Sequence, residues 1–117
     1  MQISSEIKDG IATFKISGSM LFDQSLFELR DQVRKQLQAN TRRFIFDVSE
    51  VPHLDSSGCG EVISTHSSIV KAGGVLAFVN PTGRVRILWT RIRILDILNI
   101  FDNLNDAQEF VRNSKLS

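Results

Sequence analysis

The chain has 117 residues, 42% of them hydrophobic and 23% charged, with a formal net charge of +1. That length suits one compact domain and is short for two, and the composition is that of a globular protein rather than a disordered or fibrous one. A charge so close to neutral, with no basic run interleaved with stacking aromatics, argues against a nucleic-acid partner, and no apolar run reaches the roughly 18 to 20 residues needed to cross a bilayer.

The first residues, MQISSEIKDGIATFKISG, alternate polar and apolar and lack the basic start and apolar block of a secretory signal. Asp9-Gly10 suits a type I′ turn, in which both central residues take positive φ, so residues 2 to 17 are predicted to form a β-hairpin. In its second arm Ala12, Phe14 and Ile16 share one face, the period of a half-buried strand. Ser25 with Glu28 fits a capping box, and a helix is predicted from there to about Gln38, with Leu26, Leu29, Val33 and Leu37 on one stripe.

The runs Phe44 to Val48 and Val75 to Val79 are continuously or almost continuously apolar, as strands covered on both faces are. Between them a helix over about 57 to 72 presents Val62, His66, Ile69 and Val70 on one side and closes at Gly73-Gly74. Strand, helix and strand make a right-handed parallel βαβ unit. Asn80-Pro81 supplies a capping side chain followed by a proline, predicting a third helix to about Thr90. Leu98 to Phe101 reads as a short strand, and Asn105 with Gln108 as the capping box of a last helix burying Ala107, Phe110 and Val111. The predicted class is α/β, a mixed sheet with parallel central strands and an N-terminal hairpin, in the order ββαβαβαβα.

The segment Asp55-Ser56-Ser57-Gly58-Cys59-Gly60 lies between a buried strand and a helix start, at the strand end where parallel sheets place their sites. Asp55, Ser56 or Ser57 can accept from the unpaired N–H groups of the first helical turn. Gly58 and Gly60 weaken a helix, so their presence suggests close backbone approach and a flat surface. A hydroxyl at this place also suits a phosphate, which the N–H groups and the helix dipole favour. An ordinary capped loop has the same composition. The lone Cys59 has no partner for an internal disulfide, which fits a reducing, cytoplasmic setting.

The stretch FIFDVSEVPHLDSSGCG, Phe44 to Gly60, resembles the STAS family of anti-sigma-factor antagonists, in which an apolar strand ending in aspartate leads through a short loop to D-S-S-G at a helix start. The resemblance extends over the hairpin entry, Gly73-Gly74, VLAFVNPTGRV and a final strand before an A-x-x-F helix, so that 1–117 is expected to be a single STAS domain, monomeric when free. It implies a bacterial regulator that, unphosphorylated, binds an anti-sigma factor of GHKL-type serine-kinase fold and frees a sigma factor. By the same resemblance Ser56 is the phosphate acceptor, with Ser57 as the alternative, and Asp55, Ser57, Gly58 and Gly60 belong to the partner-binding surface. Where the family often has G-E-L-D, this chain has Gly18-Ser19-Met20-Leu21-Phe22-Asp23, which leaves Asp23 to supply the acidic group of that loop. Cys59 replaces a frequent leucine and packs as a small hydrophobe.

Other chemistries fit the sequence less well. His53 and His66 could serve Ser56 in a small serine hydrolase, but the nucleophile elbow is absent, and no enzymatic activity is expected. The single cysteine and two histidines show no metal-ligand spacing, and no cofactor is implied. Asp47 could be compared with a receiver-domain phosphoacceptor, yet the acidic pair after the first strand is missing, leaving a strand-end carboxylate held by loop N–H groups. Arg84, Arg86, Arg91 and Arg93 form either a solvated helix face or a docking surface for an acidic partner, with Trp89 among them at core spacing. A STAS domain can also serve as a scaffold in a stress-sensing complex or as an accessory of a membrane transporter.

Overall fold

The Asp9-Gly10 turn takes the conformation its residue types require. In the computed structural model, which describes residues 1–116, Asp9 and Gly10 have φ of 54° and 77°. They join β1 (Gln2–Lys8) to β2 (Ile11–Ser17) in an antiparallel hairpin with Lys8 opposite Ile11. The chain continues through α1 (Gln24–Gln38), β3 (Arg43–Glu50), α2 (Ser56–Lys71), β4 (Val75–Val79) and α3 (Gly83–Arg91). A 3-10 turn at Leu95–Ile97, β5 (Asn99–Phe101) and α4 (Leu104–Asn113) complete it. The order ββαβαβαβα is the one the sequence predicts.

The five strands lie side by side in chain order, and every pairing after the hairpin is parallel. Phe44 to Val48 and Val75 to Val79 are adjacent, with Phe46 opposite Phe78. Their almost unbroken apolar character follows from the layers on either side. Ala12, Phe14, Ile16, Phe44, Phe46, Leu76 and Phe78 face a core shared with Leu26, Leu29 and Val33 of α1, Val62 and Ile69 of α2, and Val85 and Trp89 of α3. On the opposite face Ile11, Ile45, Ala77 and Val79 pack with Ala107 and Val111 of α4. A chain of rings crosses the larger core, with centroids 5.4 Å apart for Phe14–Phe46, 5.7 Å for Phe46–Phe78 and 5.4 Å for Phe78–Trp89.

Three helix starts differ from those read in the sequence. Asp23, not Ser25, caps α1: its carboxylate accepts from Ser25 N at 2.8 Å, and Ser25 and Glu28 sit inside the helix without forming a box. Thr82 caps α3 by accepting from Val85 N at 3.3 Å. Asn80 has φ of 52° and donates its N–H to Phe101 O at 2.8 Å, turning the chain off the end of β4. Asn103 caps α4, accepting from Asp106 N at 2.9 Å, and Asn105 lies within the first turn. Each segment offers two eligible side chains a few residues apart, and the point where the backbone leaves the sheet chooses between them.

One predicted core position also moves, and a further apolar residue at core spacing is left outside. Val70 is exposed, whereas Glu61 and Thr65 are buried on α2, because that helix packs against α1 as well as the sheet and buries a wider arc than one stripe. Ile92, at the spacing of Val85 and Trp89, is exposed because α3 ends at Arg91. Trp89 itself is fully buried, as its spacing predicts, and among the described residues its indole N–H has no partner. Gly73 closes α2 in the left-handed region, at φ 87°, and Gly74 N donates to Ile69 O at 2.8 Å.

Candidate functional site

The loop after β2 and the loop after β3 run parallel at the carboxyl end of the sheet and are joined through their backbones. Gly18 N donates to Glu50 O at 3.0 Å, Met20 N to His53 O at 2.9 Å, and Asp55 N to Met20 O at 3.2 Å, with a bridge between Met20 and Leu54. Asp55 completes the junction through its side chain. One carboxylate oxygen accepts from Gly58 N at 2.9 Å and caps α2, while the other accepts from Phe22 N at 3.0 Å across the junction. Those N–H groups, Gly58 first and Phe22 second, hold its carboxyl below the usual carboxylate range. Asp55 is therefore ionised at neutral pH and ties two loops together.

This geometry places each residue singled out in the sequence. Ser56 is the first residue of α2 and is exposed; Ser57 is half-buried. Gly58 meets the expectation of close approach, since a Cβ there would lie 2.1 Å from the Met20 carbonyl oxygen. Gly60 does not: it is exposed, and a Cβ there would meet nothing within 4 Å. Cys59 is buried, and burial, with the Asp55 charge behind it, pushes its thiol up. Asp23 lies on the joined loop, where its carboxylate accepts from the Ser25 N–H and hydroxyl, the hydroxyl contact lowering its pKa most.

Sequence reasoning missed four residues beside this site. Arg30 of α1 reaches Glu61 of α2 with two N–H donors, at 2.7 and 3.3 Å, and Glu61 is only 4% exposed. The two are 31 positions apart, and no local pattern joins them. Phe27 lies off the Leu26 stripe and Phe22 precedes the helix, and both stand exposed; for Phe27 the departure from the helical period was the available signal.

The remaining candidates have ordinary surroundings. Asp47 accepts from Ser49 N at 3.0 Å and from the Ser49 hydroxyl at 2.7 Å, as a strand-end carboxylate does. His66 is half-buried, and burial lowers its pKa. Neither His53 nor His66 hydrogen-bonds Ser56 or Ser57 among the described residues. Arg86 pairs with Asp102 at 3.2 Å, while Arg84, Arg91 and Arg93 are exposed. Among the described residues no helix is long and apolar enough to cross a membrane.

A parallel sheet entered by a hairpin thus leads to an aspartate-capped helix that opens on Ser-Ser-Gly, and the model of the STAS domain matches residues 2–107. This chain belongs to the STAS domain family. A protein of Thermotoga maritima named "Putative anti-sigma factor antagonist" is 31% identical over 65 residues, 56% of this STAS domain and 58% of that relative, so the match spans somewhat over half the relative's length. The crystal structure of a Thermotoga maritima protein of that description superposes with a TM-score of 0.86 at 21% identity, covering 95% of each chain. The anti-sigma factor antagonist SpoIIAA, solved unphosphorylated, superposes with a TM-score of 0.76 at 16% identity, covering 97% of this STAS domain and all of SpoIIAA. The phosphorylated form of SpoIIAA, a Bacillus cell fate determinant, gives 0.74 at 15%, covering 95% and 100%. At these identities the superpositions establish the fold of the STAS domain.

Proposed function

We propose that this STAS domain is an anti-sigma-factor antagonist acting in the cytoplasm. Unphosphorylated, it binds an anti-sigma factor of GHKL-type serine-kinase fold through Asp55, Ser56, Ser57, Gly58, Gly60 and the Asp23 loop, and thereby frees a sigma factor. Phosphorylation of Ser56 switches that binding off. The observation that carries the reading is the exposed Ser56 hydroxyl at the first residue of α2, beside an ionised Asp55 that holds both loops in place. The half-buried Ser57 is the less accessible of the pair.

A phosphate on Ser56 adds about 1.5 to 2 negative charges next to Asp55. The N–H groups of Gly58 and Cys59 already donate to Asp55, to its carboxylate and its carbonyl respectively. The first turn therefore offers the phosphate less than a free helix start would, and the group stays hydrated. A partner covering Ser56 would have to strip that water and meet two like charges, and each ~1.4 kcal/mol so lost lowers affinity tenfold.

The test is to recover the protein from its native cell, identify what it retains, and incubate wild type, Ser56→Ala and Ser57→Ala with the retained kinase and ATP. Mass spectrometry should find phosphate on wild type and on Ser57→Ala only. Phosphate on Ser56→Ala but not on Ser57→Ala would move the switch to Ser57, and the absence of any GHKL-type protein would defeat the antagonist reading.

A further inference from the structure

Glycine inside a helix weakens it relative to alanine and calls for a cause. Gly58 has one within the chain, the Met20 carbonyl. Gly60 has none: it is the fifth residue of a 16-residue helix, exposed, with open space where a Cβ would go. That space belongs to a hollow of about 280 Å³ between α1 and α2, bounded by Phe22 and Phe27 on one side and Ser57 and Ser64 on the other. Phe22 is 72% exposed and Phe27 48%, two rings that the core does not use. The hollow's charged groups, Arg30 and Glu61, are paired with each other at 2.7 Å, and the Arg30 guanidinium lies 5.5 Å from the centre of the Phe27 ring. The result is an aromatic-walled, electrically closed recess that shares Ser57 with the serine pair.

We propose that the anti-sigma factor seats a large apolar side chain in this hollow, its backbone closing on Gly60 where any side chain would hold it away. The proposal rests on the antagonist reading and names the contact made by that same face. Exposed aromatic walls with an internally neutralised ion pair favour an apolar occupant over a charged one, since binding then desolvates no unpaired charge. Ser57, the chain neighbour of Ser56, borders the hollow, so a partner seated there lies next to the proposed phosphate acceptor.

The experiment places a photo-reactive benzophenone at position 27, where an aromatic side chain already stands, and at position 87 on the exposed face of α3 as a control. Cross-linking in the native cell is followed by identification of the joined peptide. The expected product from position 27 is an apolar residue of a GHKL-type protein. Adding Gly60→Ala should cut its yield about 10- to 100-fold while raising the melting temperature by about 4 °C, so that lost binding cannot be ascribed to misfolding. A GHKL-type protein captured from position 87 but not from 27, or a yield from 27 indifferent to Gly60→Ala, overturns the hollow and leaves the antagonist reading standing. Capture at 27 of a second copy of this chain, or of a protein without that kinase fold, overturns the antagonist reading and the occupant with it.

Discussion

Two neighbouring glycines on one helix have opposite physical standing. At Gly58 the obstacle is a backbone carbonyl held in the loop junction, which cannot swing aside as the end of a side chain would. Gly58→Ala should therefore cost about 1 to 3 kcal/mol, seen as a lower urea midpoint, whereas Gly60→Ala should raise it. Asp55 makes a second prediction through its titration. Its folded pKa lies below the ordinary value of 3.8 because two backbone N–H groups stabilise the charged form. A carboxyl shifted this way contributes stability that is fully present above the unfolded pKa and is lost as pH falls through the folded value. Urea midpoints followed from about pH 5 to pH 2 should thus fall less steeply for Asp55→Asn than for wild type. Asp23, shifted in the same direction by Ser25, leaves a residual acid slope in both proteins. Equal slopes would mean that Asp55 does not hold the loops by its charge.

At the scale of elements, α1 and α2 meet through a buried carboxylate and a half-exposed guanidinium. Among the described residues Glu61 has one other hydrogen-bonding neighbour, the Thr65 hydroxyl at 3.4 Å, so removing Arg30 leaves an almost unpaired charge inside the structure. Breaking a fully buried pair costs about 3 to 5 kcal/mol; with Arg30 about half in solvent, about 1 to 3 kcal/mol is expected for Arg30→Ala. The double replacement Arg30→Leu with Glu61→Leu should recover most of that loss, because no charge is then left buried. If the double variant is as unstable as Arg30→Ala, the loss comes from the Arg30 side chain's packing rather than from the stranded carboxylate. The same junction sets where the two helices carry the walls of the hollow, so Arg30→Ala should also weaken partner binding beyond its effect on stability.

The whole molecule is organised around one sheet whose central strands are covered on both faces. Phe46, 1% exposed and in contact with Phe14 and Phe78, is at its centre, and Phe46→Ala should cost about 3 to 5 kcal/mol. Trp89, the single tryptophan, ends the same chain of rings and is fully buried, so its fluorescence reports on that core. For a two-state domain the fluorescence and far-ultraviolet circular dichroism transitions should coincide, and separate midpoints would show that the α3 end of the core melts apart from the sheet.

Periodicity and turn chemistry act over a few residues, and what depends on them could be read directly: the Asp9-Gly10 hairpin, the two central strands, the Leu26–Leu29–Val33 stripe, the burial of Trp89 and the Gly73 helix end. The D-S-S-G segment could likewise be placed at a helix start, because a capping aspartate followed by small residues is a local signal. Which of two eligible side chains caps each helix was decided by where the sheet releases the backbone. That Asp55 binds Phe22 N, that Gly58 faces Met20 O and that Arg30 finds Glu61 depended on segments 31 to 38 residues apart coming together. Such contacts leave no trace in the local sequence, since each partner is an ordinary residue for its own element. Tertiary packing alone distinguished the glycine that the fold requires from the one it leaves open.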